Sequence, residues 1–200
     1  MEMSIMPPFS IRMQRAMELA SHIHSDQIRK DPDLPIPYVS HLCAVSSLVL
    51  SHGCSEDVFI GALFHDVKED RPGMMFLVEQ FGEVVVRIVD EVSERKLDSF
   101  GRKRPWQERK IDHAEFLRSA MVESKMVVCA DNVCNMRSLL MSCERGPQIW
   151  TALNSSPEEN VFRWQHLLKC LREGWCEFEP HPLVREYSDA LESVREIVHL

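Results

Sequence analysis

Apolar residues recur along this chain at intervals of three and four. Met13, Ala16, Met17, Ala20 and Ile23 mark a first helical face. Pro32, Pro35 and Pro37 then impose an extended loop, because proline lacks a backbone donor and clashes with the preceding helical turn. Val39, Leu42, Val45, Leu48 and Val49 predict a second helix, closed by Gly53. Ser55 followed by Glu56 and Asp57 reads as a helix start, leading through Ile60 and Leu63 until Pro72-Gly73 stops the element. Residues 76–81 form a short helix. Residues 84–92 are β-branched enough for a strand, but Val84, Ile88 and Val92 match at i, i+4, as do Val85 and Val89, and favour helix. A basic loop over residues 97–106 precedes helices over 106–120 and 121–143. Two more amphipathic faces follow, one through Val161, Trp164, Leu167, Leu168 and Leu171, the other through Leu183, Val184, Tyr187, Leu191, Val194 and Val198. The pattern predicts an all-α helical bundle of roughly eight to ten helices. No repeat or clean linker divides the 200 residues, so one domain is expected, with a core over about 12–175 and a C-terminal helix over about 181–199.

A hydrophobic content of 44% is enough for a real core, and the formal net charge of −8 argues against a nucleic-acid partner, which needs a basic face. It does not exclude a phosphorylated small molecule, whose pocket needs only local cations. The seven cysteines are odd in number and form no C-x-x-C pair, which points to reduced thiols rather than a zinc or disulfide framework. Residues 1–13 lack the apolar run and basic flank of a signal peptide, and no segment approaches the roughly 20 apolar residues of a membrane span. The expectation is a soluble, cytoplasmic protein with no membrane partner.

The densest chemistry is His65-Asp66-Val67-Lys68-Glu69-Asp70. If this stretch is helical, His65 and Glu69 are four apart, as are Asp66 and Asp70, and all four share neighbouring faces. An apolar run from Val58 to Phe64 leads straight into them, where charged groups are costly unless paired, hydrated or bound to a cation. Adjacent His65 and Asp66 offer two ligands to a hard or borderline divalent ion. His41, beside Pro37-Tyr38 at the start of an apolar helix, and Asp131, after the buried-looking run from Met126 to Ala130, are candidates for two more. Plainer roles compete: a helix cap for His41, a cap or ion pair for Asp131, a satisfied core histidine for His65, and a solvated helix end for Glu69 and Asp70.

Three blocks carry a family resemblance: Arg29-Lys30 with Pro37-Tyr38-Val39-Ser40-His41; residues 62–70; and Ala130-Asp131-Asn132-Val133-Cys134-Asn135-Met136-Arg137-Ser138-Leu139. Their order H…HD…D resembles the HD-domain metal-dependent phosphohydrolases, and the E-D after HD with the R-K before P-Y-x-x-H resembles the RelA/SpoT-type (p)ppGpp hydrolase branch in a short form without a synthetase domain. The resemblance implies an all-helical fold and one divalent metal ion, usually manganese (Mn2+), held by His41, His65, Asp66 and Asp131. It implies that Glu69 and Asp70 position and deprotonate the attacking water, that Arg29 packs on a guanine base with Lys30 nearby, and that Asn135 and Ser138 face a nucleotide substrate. Four features depart from the branch: Lys68 replaces a small or apolar residue, Val128 a basic residue, Asn132 a Lys or Arg, and the loop between Arg29 and His41 is about one residue longer.

A dinuclear site would need more histidines between the HD pair and Asp131, where only His113 lies; His22, His24, His52, His166, His181 and His199 lack ligand spacing. The basic residues Arg95, Lys96, Arg102, Lys103, Arg104, Arg109 and Lys110 read either as a solvated loop or as a cationic lid, with Arg71 and Arg137 as further phosphate contacts. The activity implied is (p)ppGpp 3′-pyrophosphohydrolysis. The alternatives are an HD phosphohydrolase acting on another nucleotide or phosphorylated cofactor, such as the 2′-phosphate of NADPH, and a catalytically silent nucleotide sensor.

Overall fold

A computed structural model of the chain describes residues 9–153, 155–175 and 180–199. Cys176 and residues 1–8 of the N-terminal stretch lie outside these residues. The described part is all-α, with two isolated bridges, Ile28 with Pro37 and Leu97 with Lys103, as its only β-type pairing.

The helices are α1 (Ile11–Ile23), α2 (Val39–Ser51), α3 (Glu56–Phe64), α4 (Val67–Asp70), α5 (Met75–Val78), α6 (Glu83–Val92), α7 (Trp106–Leu117), α8 (Val122–Cys143), α9 (Ile149–Ala152), α10 (Pro157–Trp175) and α11 (Pro182–Val198). Ser10 and Ser55 cap α1 and α3, each hydroxyl accepting from a backbone amide three residues on. Gly53 supplies the positive φ, 72°, that turns the chain after α2. Residues 83–92 are helical because Val85, Ile88, Val89 and Val92 form one buried stripe, which outweighs their β-branching.

Two central helices position the site. Every residue of α3 from Val58 to Phe64 is buried, so the helix runs through the core and delivers His65 at its end. Gly61 permits close approach to α6, since a Cβ there would lie 2.6 Å from Ile88 Cγ2. The second, α8, is buried from Ser124 to Ala130 and packs against α2, α3, α6, α10 and α11. The stretch from His65 to Asp70 is not one helix. α3 ends at Phe64, His65 and Asp66 form a turn, and α4 resumes with the Asp70 amide donating to the Asp66 carbonyl at 2.9 Å.

Candidate metal centre and nucleotide cavity

Three elements converge on one point. His41 is the third residue of α2, His65 and Asp66 occupy the turn after α3, and Asp131 sits inside α8 rather than capping it. His41 Nε2 lies 3.0 Å from Asp131 Oδ1; His65 Nε2 lies 2.9 Å from Asp66 Oδ2 and 3.6 Å from Asp131 Oδ1. Both histidines are 5% exposed, so these donors face one another rather than bulk water. His41, His65 and Asp66 have ligand atoms close enough together to share one ion.

The His65 ring shows which donor is free. Its Nδ1 is 2.7 Å from the Ala62 carbonyl, which fixes that nitrogen as the N–H donor. Its Nε2, also buried, faces Asp66 and Asp131. Once that nitrogen has lost its proton, its lone pair, flanked by two half-buried carboxylates, is the donor chemistry of a divalent-cation site. The electrostatics agree. Burial opposes a proton on His65, but the charges of Asp66 and Asp131 outweigh it and raise its pKa well above the ordinary value. Burial likewise opposes ionisation of Asp66 and Asp131, yet the histidines hold both below the usual carboxylate range. At His41 burial wins and lowers the pKa, favouring the neutral imidazole that a metal needs.

Glu69 and Asp70 are anchored by groups that were not assigned from sequence. Glu69 Oε1 accepts from the Glu94 amide at 2.8 Å, and Glu69 Oε2 lies 2.9 Å from Lys96 Nζ. Asp70 Oδ2 accepts from Gln27 Nε2 at 2.7 Å, and Gln27 in turn meets the buried His24 at 2.8 Å. Tyr38 donates its hydroxyl to Asp66 Oδ2. Burial and the Asp66 charge both raise the Tyr38 pKa, so it remains a donor. Tyr38 stood in the P-Y-x-x-H block and Lys96 in the basic segment, but no spacing rule connects either to its carboxylate.

Two cavities meet at this centre. One, of about 320 Å³, is lined by His41, His65, Glu69 and Asp131. The other, of about 350 Å³, is lined by Arg29, Asp70 and Ser138. Lys30, Tyr38, Asp66, Asn135 and Arg163 belong to the walls of both. Asn135 links the two sides, donating to Asp131 Oδ1 at 2.7 Å and accepting from Arg29 Nη2 at 2.8 Å. All ten residues singled out in the sequence therefore lie along one continuous surface.

Other expectations are corrected. The basic segment is not a free lid: Arg95, Arg102 and Lys103 are exposed, Arg102 in an ion pair with Asp98, and the rest are held in ion pairs. Lys96 holds Glu69, Arg104 pairs with Asp112, and Arg109 and Lys110, which belong to α7, pair with Glu94. Arg71 pairs with Asp26 and Arg137 with Glu186, and neither lines the two cavities. Lys68 turns away to Asp90 at 2.7 Å, so its charge does not enter the site. His113 lines the first cavity, but its Nε2 is engaged at 2.9 Å from the Glu91 carbonyl oxygen.

Comparison with known proteins agrees with this geometry. Residues 16–153 match the HD domain family. A guanosine-3′,5′-bis(diphosphate) 3′-pyrophosphohydrolase, MESH1 of Drosophila melanogaster, is 33% identical over 145 residues, 71% of this chain and 75% of that protein. The bifunctional (p)ppGpp synthase/hydrolase SpoT of Escherichia coli strain K12 is 33% identical over 135 residues, 64% of this chain but 18% of its own length. A solved structure described as a metazoan ortholog of SpoT that hydrolyzes ppGpp superimposes with a TM-score of 0.68 at 25% identity, covering 94% of this chain and 97% of that one.

Proposed function

Because this chain belongs to the HD-domain family, and within it to the MESH1 group of guanosine-3′,5′-bis(diphosphate) 3′-pyrophosphohydrolases, we propose that it is a divalent-metal-dependent phosphohydrolase that splits (p)ppGpp into GDP or GTP and pyrophosphate. The observation that carries this is the convergence of two buried imidazoles, His41 and His65, on the carboxylates of Asp66 and Asp131. Those four residues hold one cation, Mn2+ in this reading. When bound, the ion supplies Lewis acidity, activating water and neutralising charge on a phosphate oxygen.

The remaining work falls to this chain's own groups. Glu69 and Asp70 orient water and take its proton. The Glu94 amide and Lys96 hold the Glu69 carboxylate in one place, while Gln27 does the same for Asp70. Arg29 packs on the guanine, and Asn135 and Ser138 meet the nucleoside in the second cavity. Lys30, on the shared wall, faces the diphosphate. Tyr38 keeps Asp66 oriented by its hydrogen bond. We read the chain as one hydrolase domain, supported by the continuous core to which α1 through α11 contribute. The six described cysteines are free thiols, in keeping with a reducing cytoplasm. Among the described residues no helix is long and apolar enough to cross a membrane.

The test is turnover of ppGpp by the purified protein with Mn2+, products resolved by ion exchange. GDP and pyrophosphate are expected. No ppGpp turnover, with phosphate released from NADPH instead, would transfer the assignment to the cofactor substrate.

Metal affinity should depend on pH in a defined direction. Without a cation, Asp66 and Asp131 hold a proton on His65, and a ligating imidazole must be neutral, so binding expels that proton. Below the raised pKa the Mn2+ association constant should therefore climb by up to about tenfold per pH unit as pH rises. Calorimetry at several pH values, in buffers of different ionisation enthalpy, measures both the slope and the released proton. A flat profile with no proton release would exclude a protonated His65 in the metal-free site.

A further inference from the structure

Arg163 on α10 is a half-buried cation whose hydrogen-bond and ring partners are all neutral. Its guanidinium carbon lies 4.7 Å from the Trp164 ring centroid and 6.0 Å from that of Trp106. Its Nη1 donates to Asn132 Oδ1 at 3.4 Å, and its Nε is buried with no partner. Among the described residues no carboxylate forms an ion pair with it, and burial lowers its pKa. Partly withdrawing a guanidinium from water with no ion-pair partner is unfavourable, so a fold that keeps one there gains something else from it.

Its position indicates what that gain is. Arg163 lies on the wall shared by the two cavities, together with Lys30 and Asn135. The α8 face of the first cavity offers Val128 and Asn132, neither of them charged, where the family resemblance led us to expect basic residues. Asn132 does not reach out in their place. Its Nδ2 donates to the Val128 carbonyl at 2.8 Å, and its Oδ1 accepts from Trp164 Nε1 at 3.1 Å as well as from Arg163. The amide is thus spent holding the α10 side chains, and beside α8 it is α10 that adds a positive charge to that of Lys30 on this wall.

We propose that Arg163 is a specificity-determining residue that receives a phosphate or pyrophosphate group of the substrate. The proposal rests on the phosphohydrolase reading above. A guanidinium suits the role, because its fork of donors matches phosphate oxygens and stacking on indole fixes its plane. The substrate anion then provides the counter-charge that the folded chain withholds.

Inorganic pyrophosphate titrated calorimetrically into the Mn2+-loaded protein tests this, alongside steady-state kinetics with ppGpp, for the parent, Arg163→Met and Arg163→Lys. We expect Arg163→Met to weaken pyrophosphate binding and raise KM by about tenfold or more, with a smaller change in kcat. Arg163→Lys should recover part of both losses. The melting temperature of Arg163→Met should stay near that of the parent, because methionine keeps an apolar stem beside Trp164 and removes a half-buried charge that has no ion-pair partner. Parent-like pyrophosphate affinity in Arg163→Met would overturn the proposal. So would a lower melting temperature with kcat lost and KM unchanged, which is the signature of a packing role. If Arg163→Met does not fold, Arg163→Gln takes its place in the same comparison. If the parent fails to turn over ppGpp, that substrate assignment falls, while the pyrophosphate titration still decides for or against Arg163.

Discussion

Asp131→Ala should lose ppGpp turnover by about a thousandfold or more, because it removes a cation whose stabilisation of transition-state charge is worth several kcal/mol. Asp131 lies 3.0 Å from His41 and 3.6 Å from His65, so it joins the ligand contributed by α2 to the one after α3. Its loss should be felt at the metal rather than throughout the fold. The metal-free parent holds Asp131 and Asp66 together as half-buried carboxylates around His65, and deleting one relieves their repulsion. Melting temperature separates the two effects. At a hundredfold excess over its dissociation constant, Mn2+ should stabilise the parent by about 2.7 kcal/mol, or roughly 5–10 °C for a chain of this size. Asp131→Ala should melt within a few degrees of the metal-free parent and show no rise with Mn2+. A preserved Mn2+-induced rise would remove Asp131 from the ligand set.

Glu69→Gln is expected to cut kcat by about 10²–10⁴-fold, the range for losing a positioned general base, while the Mn2+-induced melting shift persists. The carboxylate is held at both oxygens, by the Glu94 amide and by Lys96. Burial opposes the charge on Lys96, but Glu69 outweighs it and raises the lysine pKa. A glutamine keeps the size and one acceptor but cannot take a proton. This variant also tests for a nucleotide sensor without turnover. Such a protein would show the same, absent, hydrolysis in parent and mutant while both bind ppGpp. A parent that hydrolyses and a mutant that binds without hydrolysing would establish Glu69 in the proton-handling role.

The difference between these two residues bears on how the site was read from sequence. Asp131 was a candidate because an unpaired carboxylate after Val127, Val128, Cys129 and Ala130 is expensive, and that cost is visible in the chain itself. Glu69 was a candidate from its place after HD. What holds Glu69, however, arrives from residues 94 and 96, beyond α5 and α6. Their approach depends on how the chain returns after α6. Gln27 on Asp70 and Tyr38 on Asp66 are of the same kind: partners supplied by a proline-rich loop whose path no periodicity describes. The basic segment shows the converse. Its charge was plain in the sequence, but its role was not, because five of its seven cations are taken up in ion pairs with Glu69, Glu94, Asp98 and Asp112 within the fold.

The sequence by itself determined the helical architecture. The 3.6-residue period, the serine caps before α1 and α3 and the prolines between α1 and α2 are local, and each acts within a turn or two of its own position. It also made His41, His65, Asp66 and Asp131 candidate donors, since histidine and carboxylate after apolar runs are costly without a partner. Tertiary structure alone decided how those donors are used. It broke the helix at His65 and Asp66, turned Lys68 outward to Asp90, tied Lys96 to Glu69, and placed Arg163 between two indoles on the wall of both cavities. Such pairings depend on packing between segments far apart in the chain. Their energies are set by distance and burial, which a linear order of residues does not contain.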